Sequence, residues 1–300
     1  MTSPASAART VSIASSALGA EVREHGAELV RLQDGDGRDL LWNGDPAHWN
    51  GQAPLLFPIV GTVKDDVIRV HGKTYPLSRH GFARRSRFEL VDSGAAHCHW
   101  RLAASDETRA RYPFEFVLDL FYEISGPSLA ISATVTNGGD ERMPVAFGFH
   151  PAFRWPLPYG RSRADHLVRF EKPEPLPVRR LENGLLGPHL FASPVRGKTL
   201  ALDDDLFRDD ALIFDRLASR SVVYGAPTGP QLEIAFPDMP HLGLWSKPGA
   251  GFICIEPWHG FASPTDFDGE LRTKPGMEIL PPRAAKTFAM TITLLDQPSG

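Results

Sequence analysis

The sequence has little of what marks a disulfide-stapled scaffold or a membrane protein. Its 300 residues include 2 cysteines, Cys98 and Cys254, too few for a disulfide framework, so a reducing, cytoplasmic setting is expected. No apolar run approaches the roughly 20 residues that span a bilayer. Residues 1–20 lack the sustained apolar stretch of a signal peptide, so neither a membrane partner nor export is expected. Net charge is only −4, and the densest basic stretch (Arg79, Arg84, Arg85, Arg87) is too local to track a nucleic-acid backbone; no nucleic-acid partner is expected. A phosphate-binding loop, a dinucleotide fingerprint, a nucleophile elbow and a zinc-binding helix motif are all missing, which removes the enzyme classes built on them. Long helical stripes of apolar residues are missing too.

What is present is a period of two. From Phe114 to Ile124, Glu115, Asp119 and Glu123 fall on one face, while Phe114, Phe116, Leu118, Leu120, Tyr122 and Ile124 fall on the other, the pattern of a half-buried strand. Leu129–Asn137 repeats it after the turn Ser125-Gly126-Pro127-Ser128, which predicts a hairpin. Phe288, Met290, Ile292 and Leu294 alternate with polar or small residues near the end of the chain. Further strands are predicted at Thr10–Ala14, Ala27–Asp34, Val67–Val70, Phe88–Val91, Cys98–Ala103, Ala211–Phe214, Ser221–Tyr224, Gln231–Phe236, Leu242–Trp245 and Phe252–Glu256. With 27 Pro and 27 Gly punctuating them, the series argues for an all-β fold, a large antiparallel β-sandwich. No linker or composition break appears, so residues 1–300 are expected to form a single domain, with residues 1–10 poorly ordered. The Pro-rich stretch from Phe170 to Pro194 is expected to be a long surface loop.

Loops on such scaffolds carry function, and several segments concentrate titratable groups among Gly, Pro and aromatics. His150 ends a strand-like run and precedes Pro151, which holds it in extended geometry; an imidazole there can give or take a proton near neutral pH. A core histidine satisfied by a backbone carbonyl is the alternative. Glu256 ends the apolar run Gly251–Ile255 and precedes Pro257. A carboxylate there is costly to bury without a partner, and partial burial would raise its pKa towards that of a useful base; a surface strand-end Glu is the alternative. His80 lies between Arg79 and Gly81, where the glycine allows a ligand to approach the backbone, or is simply a solvated turn histidine. Together with nearby tryptophans these groups suggest sugar chemistry, because aromatic faces stack on pyranose rings. His97-Cys98-His99 has the look of a metal site, but neighbours along a strand point to opposite faces, so no metal centre is expected. Asp203–Asp205 and Asp209-Asp210 read mainly as solvated charge.

Pro58-Ile59-Val60-Gly61, Arg79-His80-Gly81-Phe82-Ala83-Arg84, Phe149-His150-Pro151-Ala152-Phe153 and Phe252-Ile253-Cys254-Ile255-Glu256-Pro257-Trp258, in this order, resemble the aldose 1-epimerase family, in particular its shorter bacterial branch. The resemblance implies a galactose mutarotase-like supersandwich with an open cleft on one sheet, a sugar or sugar phosphate as the small-molecule partner, and no cofactor or metal. It implies that His150 is the general acid that protonates the ring oxygen and that Glu256 is the general base at the C1 hydroxyl. His80 and Asp210 then bind sugar hydroxyls, with Trp258 beside them. Where many members carry an Arg after the Val-Gly pair, this chain has Lys64, a candidate substitute, although Lys and Arg are not equivalent donors. Gly81-Phe82-Ala83-Arg84 also resembles hexose-6-phosphate 1-epimerases, where Arg79, Arg84 or Lys64 would hold the phosphate. Three functions follow as expectations: an aldose 1-epimerase acting on a hexose, a hexose-6-phosphate 1-epimerase, or a non-catalytic sugar-binding protein on the same fold, each as a monomer or homodimer.

Overall fold

In the computed structural model, which describes residues 9–296, period-two segments pair into two large sheets. The nine-stranded sheet runs Thr199–Ala201, Leu167–Phe170, Ser221–Gly225, Gln231–Ala235, Ala285–Leu295, Ser128–Asn137, Phe116–Ser125, His97–Ala103, Glu89–Ser93. The six-stranded sheet includes Leu212–Phe214, His241–Trp245, Phe252–His259, Phe147–Phe149 and Leu55–Leu56 in that order, with Ala152–Arg154 also paired to Phe252–His259. All of these ladders are antiparallel, and a three-stranded sheet (Thr10–Ala14, Leu18–Arg23, Glu28–Asp34) is added at the start of the chain. The fold is all-β, a large antiparallel sandwich, and the one α-helix among the described residues is the single turn Asp106–Arg109, capped by Ser105 and Thr108.

The predicted hairpin forms in register, with Leu129 opposite Ile124 and Val135 opposite Leu118. Leu118, Leu120, Tyr122, Leu129, Ile131, Ala133, Phe288, Met290 and Ile292 bury their side chains in the main core. The six-stranded sheet supplies the opposite side of that core with Leu212, Phe214, Leu242, Leu244, Phe147, Phe149, Ile253 and Ile255. Each of these alternates with a residue on the other face: Ile213, Gly243, Trp245, Gly148, Cys254 and Glu256. That second face carries two smaller apolar clusters, one around Trp258 and one around Trp42 and Phe252. The period of two thus decides which residues of this sheet are core and which line a surface.

Two expectations need correction. The stretch from Phe170 to Pro194 is not a simple surface loop. It contains the small hairpin Leu181–Glu182/Leu185–Leu186, and Glu174, Val178 and Leu186 are buried. The reason is pairing: Arg179 bridges to Ile213, Leu186 bridges to Pro264, and the buried Glu174 carboxylate accepts from the Ser219 amide and hydroxyl. Strand bounds also shift by a residue or so, and Leu18–Arg23 is a strand that sequence patterning did not pick out. Of residues 1–10, only Arg9 and Thr10 are described, with Thr10 already in a strand; residues 1–8 lie outside the described residues.

Candidate active site

The face of the six-stranded sheet turned away from the main core opens into a cavity of about 300 Å3. Its floor is set by Phe252–His259. Cys254, Glu256 and Trp258 recur every second residue and so share one face. Trp258 lies flat because its neighbours lack side chains. A Cβ on Gly243 would sit 2.4 Å from the indole, and one on Gly148 would sit 2.7 Å from it. Both glycines are needed for the floor to exist.

Gly148 is one position from the end of its strand, and the next residue on the same face is His150. The ring of His150 meets Glu256 across the strand pair, Nε2 to Oε2, at 3.2 Å, and both side chains are almost fully buried. Trp49 stacks on the other side of the imidazole (centroids 5.0 Å apart, 26° between planes), and Trp245 approaches it edge-on at 6.1 Å. Nδ1 of His150 is buried without a hydrogen-bond partner, as is the indole nitrogen of Trp258. Burial pushes the Glu256 carboxyl well above the usual carboxylate range; the charge of Arg79 opposes this shift and that of Asp210 adds to it. Burial drives His150 the other way, down to about 3, with Arg79 and Arg84 contributing. Both shifts favour the uncharged forms, so the pair holds one proton between two adjacent lone-pair sites.

His80 approaches from a loop, its ring 5.8 Å from that of His150 and nearly perpendicular to it. Its backbone is in the left-handed region (φ 66°), and Gly81 follows at φ 68° with Phe57 and Pro58 against it, which leaves no room for a Cβ there. Both ring nitrogens of His80 face N–H donors at 3.1 Å, the Gly61 amide at Nδ1 and Arg79 Nε at Nε2. A neutral imidazole accepts at one nitrogen only. The rigid backbone contact takes Nδ1, so the exposed Arg79 is the contact that yields, and Nε2–H is available to donate into the cleft. Burial lowers the His80 pKa well below the ordinary value, reinforced by His150, Arg79 and Arg84, which keeps the ring neutral.

Asp210 is also left-handed (φ 67°); its Oδ1 accepts from the Ala211 amide and its carbonyl from Arg180. Arg84 sits on the cavity wall with its Nη2 donating to the Arg79 carbonyl, and burial, with Arg85 and Arg79 nearby, lowers its pKa to about 10. Val60, Leu181, Ala211, Ile213 and Ala262 make an apolar wall over Trp258.

The cavity therefore brings together His80, Arg84, His150, Asp210, Glu256 and Trp258 from segments far apart in sequence. Lys64 is elsewhere. After Gly61 turns the chain (φ 73°), Val63 is drawn into the core and Lys64 is exposed in the short 3-10 turn Lys64–Asp66, lining a different hollow with Asp268 and Lys274. The expected substitution of the family's arginine by Lys64 does not fit this position. The cation that reaches the cleft from that side is Arg79. Sequence reasoning passed over Trp49, Trp245 and Leu181 as lining residues. For Trp245 a signal was available, since it alternates with Gly243 on the strand beside Phe252–His259.

With the geometry in place, comparison with known proteins decides the family. A model of the aldose 1-epimerase family matches residues 9–275. The chain belongs to this family. Among relatives of this epimerase-family chain, the protein LacX (plasmid) of Lactococcus lactis subsp. lactis is 33% identical over 302 residues, covering 96% of this chain and 100% of the relative. Among solved structures, a galactose mutarotase related enzyme from Lactobacillus acidophilus superposes with a TM-score of 0.90 at 31% identity, covering 97% of this chain and 99% of that one. A galactose mutarotase-like protein from Lactobacillus casei gives 0.87 at 30% identity, covering 96% and 100%. The fold is accordingly galactose mutarotase-like.

Proposed function

We propose that this chain is an aldose 1-epimerase that interconverts the α and β anomers of a hexose, with His150 and Glu256 as the acid–base pair. The observation that carries the proposal is the contact of His150 Nε2 with Glu256 Oε2 at 3.2 Å, on the floor of a cavity large enough for a pyranose.

Anomer exchange opens the hemiacetal, turns the C1–C2 bond and recloses the ring. Opening takes a proton from the C1 hydroxyl and gives one to the ring oxygen, so it needs one base and one acid within reach of two neighbouring oxygens. A pair holding one proton is both at once. With the proton on His150, Glu256 accepts from the C1 hydroxyl while His150 protonates the ring oxygen. Opening leaves the proton on Glu256 and the imidazole neutral, the forms that burial favours. Reclosing on the other face needs those forms. Each half-reaction thus prepares the protonation states of the reverse one, and no covalent intermediate or cofactor is called for. The acid and base touch rather than face each other across the ring, which suits the C1 and ring oxygens because they share a carbon. His80 Nε2–H and the free oxygen of Asp210 are placed to fix the other hydroxyls, and Trp258 offers an apolar face.

A 6-phosphorylated hexose is a second substrate class with a specific observation behind it. Arg79 and Arg84 line the cavity, and neither forms an ion pair with a carboxylate among the described residues. Two guanidinium groups without a direct carboxylate partner are well suited to a phosphate. Polarimetry or NMR exchange spectroscopy on free and 6-phosphorylated glucose and galactose tests both. Acceleration over the spontaneous rate that depends on Glu256 supports the epimerase, and the preferred substrate decides the class. Sugar binding without acceleration would leave a binding protein and reject the proposal.

A further inference from the structure

The acid–base pair has a third neighbour that sugar chemistry does not use. Cys254 lies two residues before Glu256 on the same face of Phe252–His259, and its cross-strand partner is Ala152, two residues after His150. The sulfur of Cys254, a ring nitrogen of His150 and a carboxylate oxygen of Glu256 all fall within 4.8 Å of one another, and all three residues are buried, with exposures of 0%, 8% and 2%. From this juxtaposition we propose that Cys254, His150 and Glu256 form a binding site for a thiophilic divalent cation of the zinc type.

The donor set is a soft sulfur, an imidazole nitrogen and a carboxylate oxygen, the combination that tetrahedral zinc takes with three protein ligands and one open position. Zinc bond lengths of about 2.0–2.3 Å place ligand atoms roughly 3.3–3.8 Å apart, so a pair at the 4.8 Å limit must close by roughly 1.0–1.5 Å. That closure requires a rotamer change at Cys254 or His150. His150 and Glu256 line the cavity while Cys254 lies buried behind them, so an ion would enter past the acid–base pair. Thiolate and carboxylate together neutralise a divalent ion, so the bound site carries no net charge into its dry surroundings of Trp42, Trp49, Trp245 and Phe252. A thiolate ligand must give up its proton, so binding releases protons and strengthens as pH rises. The ion would take the lone pairs that the acid–base pair needs, making it an inhibitor.

The site stands or falls by metal binding, whether or not the pair turns over a sugar. Titration of the purified chain with Zn2+ by calorimetry should show binding with release of protons, read by repeating it in buffers of different ionisation enthalpy. Substitution by Co2+ should give a thiolate-to-metal charge-transfer band and a tetrahedral d–d spectrum. Cys254→Ser and Cys254→Ala should each lose the band and weaken Zn2+ by at least ~100-fold. Because a buried substitution can unfold the chain, Cys98→Ser supplies the complementary protein. Its one remaining thiol is Cys254, and the band should persist. A Co2+ complex of Cys98→Ser without a thiolate band, or Zn2+ affinity unchanged in folded Cys254 variants, would overturn the assignment. With zinc bound, anomer exchange should be inhibited in competition with the sugar, and inhibition equally strong in Cys254→Ala would also count against it.

Discussion

Two of the histidine–carboxylate pairs among the described residues, one on each large sheet, differ in everything around them. On the solvent side of the nine-stranded sheet, His99 Nε2 lies 2.6 Å from Asp119 Oδ1. The same oxygen accepts from Arg101 Nε at 2.8 Å, directly opposite on the neighbouring strand, and the His99 ring stacks on Phe121 at 3.9 Å. Every partner of that pair comes from the sheet itself, and a cation balances its carboxylate. On the six-stranded sheet, His150 and Glu256 sit at 3.2 Å with no cation hydrogen-bonded to either, with Nδ1 unpartnered, and beside a cavity. The residue types are nearly the same. What separates the cross-strand brace from the pair proposed to transfer protons is whether the surroundings have satisfied it.

The largest expected effect exploits that contrast directly. Glu256→Gln keeps volume and hydrogen bonding but cannot take a proton at neutral pH, so kcat for anomer exchange should fall roughly 10²–10⁴-fold while sugar affinity changes far less. His150→Asn should act similarly. The matching change on the other sheet, Asp119→Asn, should leave kcat within a factor of about two, since the residue does not line the cleft. Equal losses from both substitutions would erase the distinction. Next in size is the effect of the cations: Arg79→Ala should raise KM for a 6-phosphorylated hexose by about 10–100-fold, consistent with loss of a charge-assisted contact, and Lys64→Ala should not change it. A Lys64 variant with the larger defect would reinstate the position that the structure moves out of the cleft. A smaller effect belongs to stability. Asp119→Asn should cost about 1–3 kcal/mol in denaturant unfolding, because Arg101 and His99 lose a charged acceptor in a largely enclosed setting.

How much of this could be read from the sequence follows the same physics. Alternation over Phe116–Ser125 and Ser128–Asn137 is strong because one face meets the core and the other meets water, so strand, hairpin and register were all legible. Phe252–His259 was recognisable as a strand only as far as Glu256. Its two faces are both buried, one in the core and one under the cleft, and the alternation disappears. His150, Glu256 and His80 stood out because titratable groups beside Pro, Gly and aromatics are unusual; their contact could not be read, since it depends on the pairing of Ala152–Arg154 with Phe252–His259. Lys64 was misplaced because spacing from Gly61 fixes neither the left-handed turn there nor the pull of Val63 into the core. Trp49 and Leu181 belong to segments whose place in space depends on long-range bridges, for which a sequence offers no local sign.

The last and smallest effect is a slope, and it tests whether the cleft pair shares one proton. His150 has a folded pKa of about 3, well below the roughly 6.5 of an unfolded histidine, so its contribution to stability is complete above that value and is lost as pH falls towards 3. Glu256 is raised in the fold, so its contribution is present below the unfolded value of roughly 4.3 and is lost as pH rises through the folded one. From about pH 4.3 upward, where both groups differ between the folded and unfolded states, the two slopes have opposite signs, each at most ~1.4 kcal/mol per pH unit, and they oppose one another. His241, lowered to about 4 mainly by burial, adds a histidine slope that neither substitution touches. Removing one partner unmasks the other. Glu256→Gln should lose stability more steeply than wild type as the solution is acidified through this window, and His150→Asn should lose it less steeply or gain it. Chemical denaturation at a series of pH values reads both slopes against wild type. If the two variants tilt the profile in the same direction, the two groups do not hold opposite shifts, and the cleft pair is no more a shared-proton site than the one on the other sheet.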